Sequence, residues 1–571
     1  MHDYDVVIIG SGFGGSVAAL RLTEKGYKVC VLEAGARFAD NEFAKNSWEL
    51  KKFLFFPKLG LKGIQRIDLL RNVMVMSGAG VGGGSLVYAN TLYRPPASFY
   101  NTGSWAGIAD WQRLLEPYFT QAEKMLGVVT NPFFSPSDDA LKRLAERNGK
   151  GDTFRLTPVG VHFGEAGKTV KDPFFGGKGP DRTGCINCGE CMTGCLHGAK
   201  NTLVKNYLYL AENAGAEVRE LTTVTDIVDG KEGFTIKTRG TSGGKRGTIS
   251  AKQVVVAAGA LGTAKLLQRV KANGNLKGLS PMLGQLSRTN SESLLGVVSR
   301  DADVDYSQGS AITSSYFPDE NTHIESVRYG KGSNFMALME SIMSSSKKGH
   351  APNFGLLLWN TLKNLHRIPK FYNLRHWSER TLILLVMQSA DNSLSTFLKR
   401  GIFGKKLSSR QGTGKPNPAW VKVGHEAARD LAKDMNGTPG AVITEPFGIP
   451  MTAHFLGGCV IAETPENGVV DPYLRAFGVP GLHIFDGSTL SANPGVNPSL
   501  SITAQAEWAC AHWPNKGEGD ARPGLGFRFA TIKATPPRIP LVPVVAPAAL
   551  RIPISPLSSA VRFAGQLGWR Q

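Results

Sequence analysis

A chain of 571 residues with 42% hydrophobic and 19% charged content is ordinary for a globular enzyme and long enough for two or more domains. Its 65 Lys+Arg against 46 Asp+Glu leave a net charge of +19, which favours anionic surfaces or solutes. No recognition-helix, zinc-finger or RNA-stacking motif accompanies that charge, so a nucleic-acid partner is set aside in favour of a membrane surface or plain solubility.

Met1 to Asp5 lead directly into a strand-like run, Tyr4 to Ile9, leaving no room for a secretion signal. Gly10-Ser11-Gly12-Phe13-Gly14-Gly15 follows, then an alanine- and leucine-rich helix and a second apolar strand ending at Glu33. This is the order of a βαβ nucleotide-binding unit. Gly10 permits the tight turn, Gly12 lets the backbone approach a pyrophosphate, Gly15 lets helix and strand pack closely, and Glu33 falls where a carboxylate grips a ribose hydroxyl. The bland alternative is a purely structural turn, and the pattern alone does not separate NAD, NADP and FAD.

A second glycine-rich stretch, Gly78 to Val87, has too little side-chain volume for a core strand and predicts a loop pressed against something flat or charged. Short β-type runs lie between Thr222 and Ile249. Gln253 to Gly259 then reads as a buried strand whose glycine opens a helix, Ala260 to Val270. Between Asn353 and Gln388, Leu358, Trp359, Leu362 and Leu365 recur at helical spacing, with Lys363, His366 and Arg367 on other faces. An amphipathic helix packed on a sheet is the expectation here; the other reading is an interfacial helix dipping into a bilayer beside a substrate entrance. Leu482 to Gly487 is a third strand with an acidic turn. The nucleotide domain is therefore expected to be discontinuous, from 1–95, 215–290 and 450–515, leaving 96–214 and 291–449 for a substrate domain. Residues 521–571 are dense in proline, hold seven arginines and lysines and no acidic residue, so 516–571 is expected to be an extended basic tail without a core of its own.

Cys185, Cys188, Cys191 and Cys195 follow C-x₂-C-x₂-C-x₃-C, the bacterial ferredoxin spacing without its following proline. Thiolates so spaced can hold an iron–sulfur cluster, and three-iron (3Fe-4S) and four-iron (4Fe-4S) forms both stand; structural zinc and unligated thiols are the other readings. Seven cysteines in all, an odd number, fit a reducing compartment better than a disulfide framework. No apolar run reaches the roughly 18 residues of a transmembrane helix. A cytoplasmic protein, at most peripheral to a membrane, is the expectation.

Near the C-terminal end, His454-Phe455-Leu456-Gly457-Gly458-Cys459 precedes Asp486-Gly487-Ser488 and Pro494-Gly495-Val496-Asn497-Pro498-Ser499. With the first glycine turn, the loop at 78–87 and the Gly259 helix in the same order, this ending resembles the glucose-methanol-choline (GMC) flavoprotein oxidoreductases, most closely their sterol-oxidising branch, over nearly all of residues 1–515. The resemblance implies an α/β fold, α+β in the substrate part: a Rossmann-like FAD-binding domain, discontinuous in sequence, with an inserted substrate-binding domain on a mainly antiparallel sheet. It places FAD contacts on Gly10, Gly12, Gly15, Glu33, Gly84, the turn ending at Asn90, Val224, Asp486 and Gly487, and sets His454 and Asn497 against the flavin. Some positions depart from the family pattern. Ala79 stands where a basic residue is common and Tyr88 where an asparagine is, which moves the expected ring contact to Asn90 or to backbone; Phe455 replaces a proline, and the helix after Gly259 lacks the usual proline or serine.

Oxidising a secondary alcohol removes a hydroxyl proton while a hydride leaves the same carbon. Neutral imidazole suits the first task near pH 7, so His454 is the candidate base, N5 of FAD the hydride acceptor, and Asn497 the group that holds the alcohol oxygen. For a 3β-hydroxy-5-ene sterol the family branch implies a glutamate that moves a proton to conjugate the alkene; Glu325 is the match, set against a solvated or ion-paired acid. The expected activity is FAD-dependent oxidation of a sterol or other hydrophobic alcohol with O₂ as acceptor. Its rival is a dehydrogenase that sends electrons through the cysteine cluster to a quinone or protein carrier. A non-catalytic FAD-fold binding protein is the reading from another class, and the retention of His454 and Asn497 stands against it.

Overall fold

The computed structural model describes residues 2–301, 303–345, 351–401, 404–413, 415–418 and 420–551. Tyr4–Ile9 and Val29–Leu32 are apolar at nearly every position because they are strands buried on both faces. They lie inside a seven-stranded sheet ordered Glu217–Arg219, Val29–Leu32, Tyr4–Ile9, Arg246–Val256, Gly233–Gly240, Thr222–Gly230, with Leu482–Ile484 also paired to Arg246–Val256. The long Arg246–Val256 strand changes partner along one edge. Its first half runs antiparallel to Gly233–Gly240, its last residues run parallel to Leu482–Ile484, and Tyr4–Ile9 occupies the other edge. Ile9, Leu32, Val256 and Ile484 are thereby brought into register at one end of the sheet. The segments that leave these four residues carry the first glycine turn, Glu33, Gly259 and Asp486, and an open parallel sheet binds ligands outside the carboxyl ends of its strands.

Gly10 has φ of +102°, and a Cβ on it would stand 2.2 Å from the Ala257 carbonyl oxygen; a Cβ on Gly15 would meet the Gly10 carbonyl oxygen at 2.2 Å. Only glycine lets helix Phe13–Glu24 begin so close to two strands. That helix packs along the last long helix, Ser499–Ala511. Between them Arg21 Nε and Nη2 each donate to a Glu507 carboxylate oxygen at 2.8 Å, Nη1 donates to Glu24 at 2.8 Å, and the Tyr207 hydroxyl donates to Glu507 at 2.7 Å.

The second large sheet is antiparallel throughout, ordered Glu340–Ile342, Gly437–Val442, Ser293–Ser299, Thr381–Gln388, Thr322–Val327, Ile312–Asp319, Arg155–Leu156. The strand Thr381–Gln388 shows how its faces divide: Leu382, Leu384 and Val386 pack with the helices Pro136–Arg147 and Lys422–Asp434, whereas Ile383 and Leu385 face a cavity.

Three segments differ from the sequence expectation. Phe99 to Leu126 were assigned to the substrate side, yet their aromatic residues pack in the core of the parallel sheet: Trp105 stacks on Trp111 at 5.1 Å, and Trp111 meets Trp508 of the last helix edge-on at 6.1 Å. The helix expected after Asn353 forms as Phe354–Lys363, but it buries no residue; Leu358, Trp359 and Leu362 are all more than half exposed. The described part of the expected tail, 516–551, is extended and has no core of its own, but it lies against the body and lends Ala534, Val542, Ala546, Ala548 and Ala549 to the core of the parallel sheet. Lys25 Nζ donates to the Thr535 carbonyl and Gln121 to that of Ala548, so proline-rich backbone that cannot pair in a sheet is satisfied by side chains of the body. Residues 552–571 of that expected tail lie outside the described residues. No helix among the described residues is long and apolar enough to cross a membrane.

Candidate active site

One continuous cavity of about 690 Å³ runs from the carboxyl end of the parallel sheet to the antiparallel sheet. Its first half is lined by Gly10 to Gly14, Glu33, Gly84, Val224, Gly259, Asp486 and Gly487. A Cβ on Gly12 would meet nothing within 4 Å, so the space before the helix N-terminus is clear for a pyrophosphate. Arg239, Lys265 and Arg269, which the sequence reading missed, also line the cavity. The glycine loop at 78–87 presses on this turn, where a Cβ on Gly83 would come within 2.6 Å of the Gly12 Cα. Glu33 lines the cavity while its carboxylate accepts from the Ser11 amide and hydroxyl at 3.1 and 2.7 Å and from the Gly35 amide at 2.8 Å. Burial raises the Asp486 carboxyl above its usual range, opposed by hydrogen bonds from Ser488 and Thr263.

The other half is apolar, walled by Tyr329, Met336, Trp377, Ile383 and Leu385 among others. Its polar exception is Glu340, whose carboxylate accepts from Trp377 Nε1 at 2.9 Å and which burial pushes up to about 7. His454 and Asn497, 43 residues apart in sequence (497 − 454), both line this cavity. Asn497 stands where the two sheets meet. Its Nδ2 donates to Glu325 Oε2 on the antiparallel sheet at 3.1 Å, its Oδ1 is buried without a partner, and Ser499, two residues on, opens the helix packed on Phe13–Glu24.

Glu325 is fully buried behind Asn497 and does not itself line the cavity, although Val327 and the cross-strand Leu385 on the same face do. Burial pushes its carboxyl up to about 8, and the same burial pushes His323 on that face down to about 3. Fully buried, Glu325 is not the solvated acid of the alternative reading, and the base nearest it, His323 with Nδ1 at 3.9 Å, is disfavoured as a cation by the same burial. Asn90 or the backbone beside it was expected against the flavin ring. The Asn90 side chain does not line the cavity: it has φ of +70° and a fully buried amide against the Cys191 sulfur, while its neighbours Ala89 and Thr91 do line it.

Sequence reasoning missed Glu292. Its side chain is buried, with Oε2 3.0 Å from His454 Nδ1, at an angle too oblique for a hydrogen bond from the ring; it also accepts from the Thr452 hydroxyl at 2.8 Å and the Ala453 amide at 3.1 Å. Just before it, Asn290 and Ser291 are buried with φ of +57° and +46°, a conformation that non-glycine residues hold only when the surroundings fix it. What fixes it is Asn290, whose amide side chain accepts from the Gly495 amide at 2.8 Å and donates to the Val496 carbonyl at 3.0 Å. One turn thus positions both the His454 and the Asn497 segments. No motif marks it; the sequence signal is a polar run, Ser287 to Ser293, ahead of an apolar stretch.

Two family models described as GMC oxidoreductase match residues 179–279 and 418–506, and one described as FAD binding domain matches residues 5–44. A cholesterol oxidase of Mycobacterium tuberculosis (strain ATCC 25618 / H37Rv) is 54% identical over 574 residues, spanning 98% of this chain and 99% of the relative. The chain belongs to the GMC oxidoreductase family. A cholesterol oxidase of Acinetobacter baumannii is 45% identical over 532 residues, 90% of this chain and 95% of the relative. Among solved structures, pyridoxine 4-oxidase from Mesorbium loti superposes with a TM-score of 0.56 at 15% identity, covering 89% of this chain and 98% of that one, which shows the shared fold. The protein is an FAD-dependent GMC oxidoreductase, and the glycine-lined half of the cavity fits that cofactor: it is open at Gly12, with Glu33 in its wall.

The four cysteines of the expected cluster are brought together as free thiols around a second, small cavity that Lys200 and His197 also line.

Glu292 sets a buried carboxylate 3.0 Å from His454 Nδ1, the placement of a positioning residue for the imidazole ring. Glu292→Gln is expected to slow reduction of the bound FAD by the alcohol by about 10²-fold or more. Stopped-flow absorbance, with FAD content measured on the same samples, checks this; an unchanged rate would remove Glu292 from the site.

Proposed function

We propose that the protein oxidises the 3β-hydroxyl of a cholesterol-like sterol to the ketone, and that this reading rests on one observation: His454 and Asn497, whose amide oxygen is unpartnered, line one cavity whose far half is apolar. Near-complete coverage of two cholesterol oxidases supports the substrate class. A rigid, water-insoluble alcohol suits walls such as Trp377, Ile383 and Leu385, which leave few polar groups to satisfy elsewhere. FAD bound along the glycine-lined half would take the hydride at N5 and, reoxidised by O₂, yield hydrogen peroxide.

The chain's own residues handle the proton. With Nδ1 held against Glu292, Nε2 of His454 is the nitrogen left to accept the hydroxyl proton, and Glu292 stabilises the imidazolium that results. A neutral Glu325 donates as readily as it accepts, so the Asn497 amide can turn either end to the alcohol; presenting Nδ2 to the alcohol oxygen leaves the hydroxyl proton for His454. Glu325, with one carboxyl oxygen buried and unpartnered, is then the group proposed to shuttle a proton in conversion of the 5-en-3-one to the conjugated 4-en-3-one.

Delivery of such a substrate bears on the exposed helix. Phe354, Leu358, Trp359, Leu362 and Leu365 are each exposed by more than half, and Phe447 extends the patch at 6.2 Å from Phe354. Asn360 anchors the helix to the Met343 carbonyl at 2.8 Å, beside the strand Glu340–Ile342 whose Glu340 lines the cavity. An apolar patch of this kind bordered by Lys363, Arg367 and Lys370 in a chain of +19 is the composition of an interfacial helix on anionic lipid, so peripheral membrane contact is part of the proposal. Free cysteines at every described position keep with a reducing, cytoplasmic setting.

Adding cholesterol without oxygen is expected to bleach the flavin bands, and His454→Ala or Asn497→Ala to slow that bleaching by about 10²–10⁴-fold with FAD still bound; bleaching at the normal rate in either variant would remove that residue, and none in the wild type would remove sterols. Admitting air should give one peroxide per ketone, and rapid dye reduction with little peroxide would sink the oxidase reading. Isomerisation of supplied 5-en-3-one needs Glu325 as a carboxylate. Because burial raises its pKa to about 8, the rate should climb with pH up to about 8 and then level, and Glu325→Gln should accumulate the 5-en-3-one while oxidation continues. Finally, Leu358→Ser combined with Trp359→Ser is expected to slow turnover of sterol in anionic vesicles several-fold and to leave turnover of detergent-dispersed sterol unchanged; equal rates on vesicles would exclude that helix from delivery.

A further inference from the structure

The cysteine nest is built as a ligand site rather than as a turn that happens to hold thiols. Cys185 to Cys195 is wound tightly enough that Asn187 and Gly189 both adopt positive φ, +58° and +74°, and the Gly189 amide and Asn187 carbonyl pin the loop to Gly309 at 2.8 and 2.9 Å. The Cys185 sulfur accepts the Asn187 backbone N–H at 3.4 Å, and the backbone of Glu190 and of Ala311 lies against the Cys188 and Cys191 sulfurs. Amide groups aimed at sulfur stabilise thiolate over thiol. All four cysteines line one small cavity.

Two buried cations beside the nest have no ion-pair partner among the described residues. Lys200 is fully buried and donates only to the Leu86 and Cys191 carbonyls at 2.9 and 2.7 Å, and Arg182 is fully buried on the carbonyls of Gly198, Ala199 and Lys200. Among the described residues neither has a carboxylate within ion-pair distance, and the negative groups nearest to Lys200 would be the thiolates of Cys191 and Cys195. Two uncompensated buried cations are costly unless something negative sits between them. Cys188, Glu190 and His197 place three ligand atoms within 4.8 Å of one another, enough for a divalent metal, but such a site is nearly neutral and would leave both cations unanswered. Four thiolates around a cluster carry the missing charge, and x₂, x₂, x₃ spacing within eleven residues suits one cluster better than the separated pairs of structural zinc.

We propose that Cys185, Cys188, Cys191 and Cys195 bind an iron–sulfur cluster placed beside the flavin cavity. Met192, adjacent to Cys191, lines that cavity, as do Ala89 and Thr91 on either side of the Asn90 that faces the Cys191 sulfur. The cluster would supply one-electron redox chemistry next to the two-electron flavin. The position beside FAD rests on the flavin reading of the large cavity; the cluster itself does not.

The test is iron, acid-labile sulfide, zinc and FAD content of full-length protein purified without oxygen from iron-replete cells, with EPR spectra of oxidised and dithionite-reduced samples. About three to four irons and a matching amount of sulfide per chain, with a cluster EPR signal, are expected. Stoichiometric zinc, or metal-free protein with four titratable thiols in the nest, would overturn the proposal. Cys188→Ser and Cys191→Ser should lose iron while Cys459→Ser, outside the nest, keeps it; full iron in both nest variants would also overturn it. FAD released on denaturation is measured on the same samples, so failure of the flavin reading shows separately from failure of the cluster.

Discussion

A single buried ion pair joins the two ends of this chain. Arg21, on the helix that rises from the first glycine turn, forks onto Glu507 on the last long helix, and neither side chain is exposed. Losing either partner leaves the other charge buried and unpaired, a penalty of about 3–5 kcal/mol, comparable to a large part of a domain's net stability. The consequence is geometric. One helix begins at the pyrophosphate end of the cavity and the other begins two residues after Asn497, so locking them together fixes the distance between cofactor-binding and substrate-handling groups that lie almost five hundred residues apart.

The antiparallel sheet contributes to the same site by a different device. The strained turn at Asn290 and Ser291 clamps Gly495 and Val496 with one side chain and delivers Glu292 to His454 two residues later. Backbone strain is tolerated there because several buried hydrogen bonds oppose it. The cavity therefore brings together a carboxylate that just precedes a strand, a histidine from a loop and an asparagine at a helix start, held in register by packing rather than by sequence proximity.

Around this frame the chain places two features that the oxidation of an alcohol does not itself require. One is the helix Phe354–Lys363, which leaves its apolar face uncovered next to the strand that walls the substrate half. The other is the cysteine nest, set one residue from the cavity wall and flanked by cations that meet only carbonyl oxygens.

Much of this was written locally. Glycines at 10, 12 and 15, the β-type runs, the Gly259 helix and the motifs around His454 and Asn497 depend on short-range sterics and hydrophobic pattern, so sequence alone yields the fold class, the family and the pair of residues that line the cavity. Periodicity also gave the helix after Asn353, but not that its apolar face stays open, because the same stripe can meet a sheet, a membrane or solvent. Composition gave an extended basic tail, but not the alanines that it lends to the core of the parallel sheet. Glu292, the burial of Glu325 and the turning of Asn90 toward Cys191 belong wholly to the tertiary structure. Burial and long-range partners set the charge and direction of a polar side chain, and neither is encoded within a few residues of it.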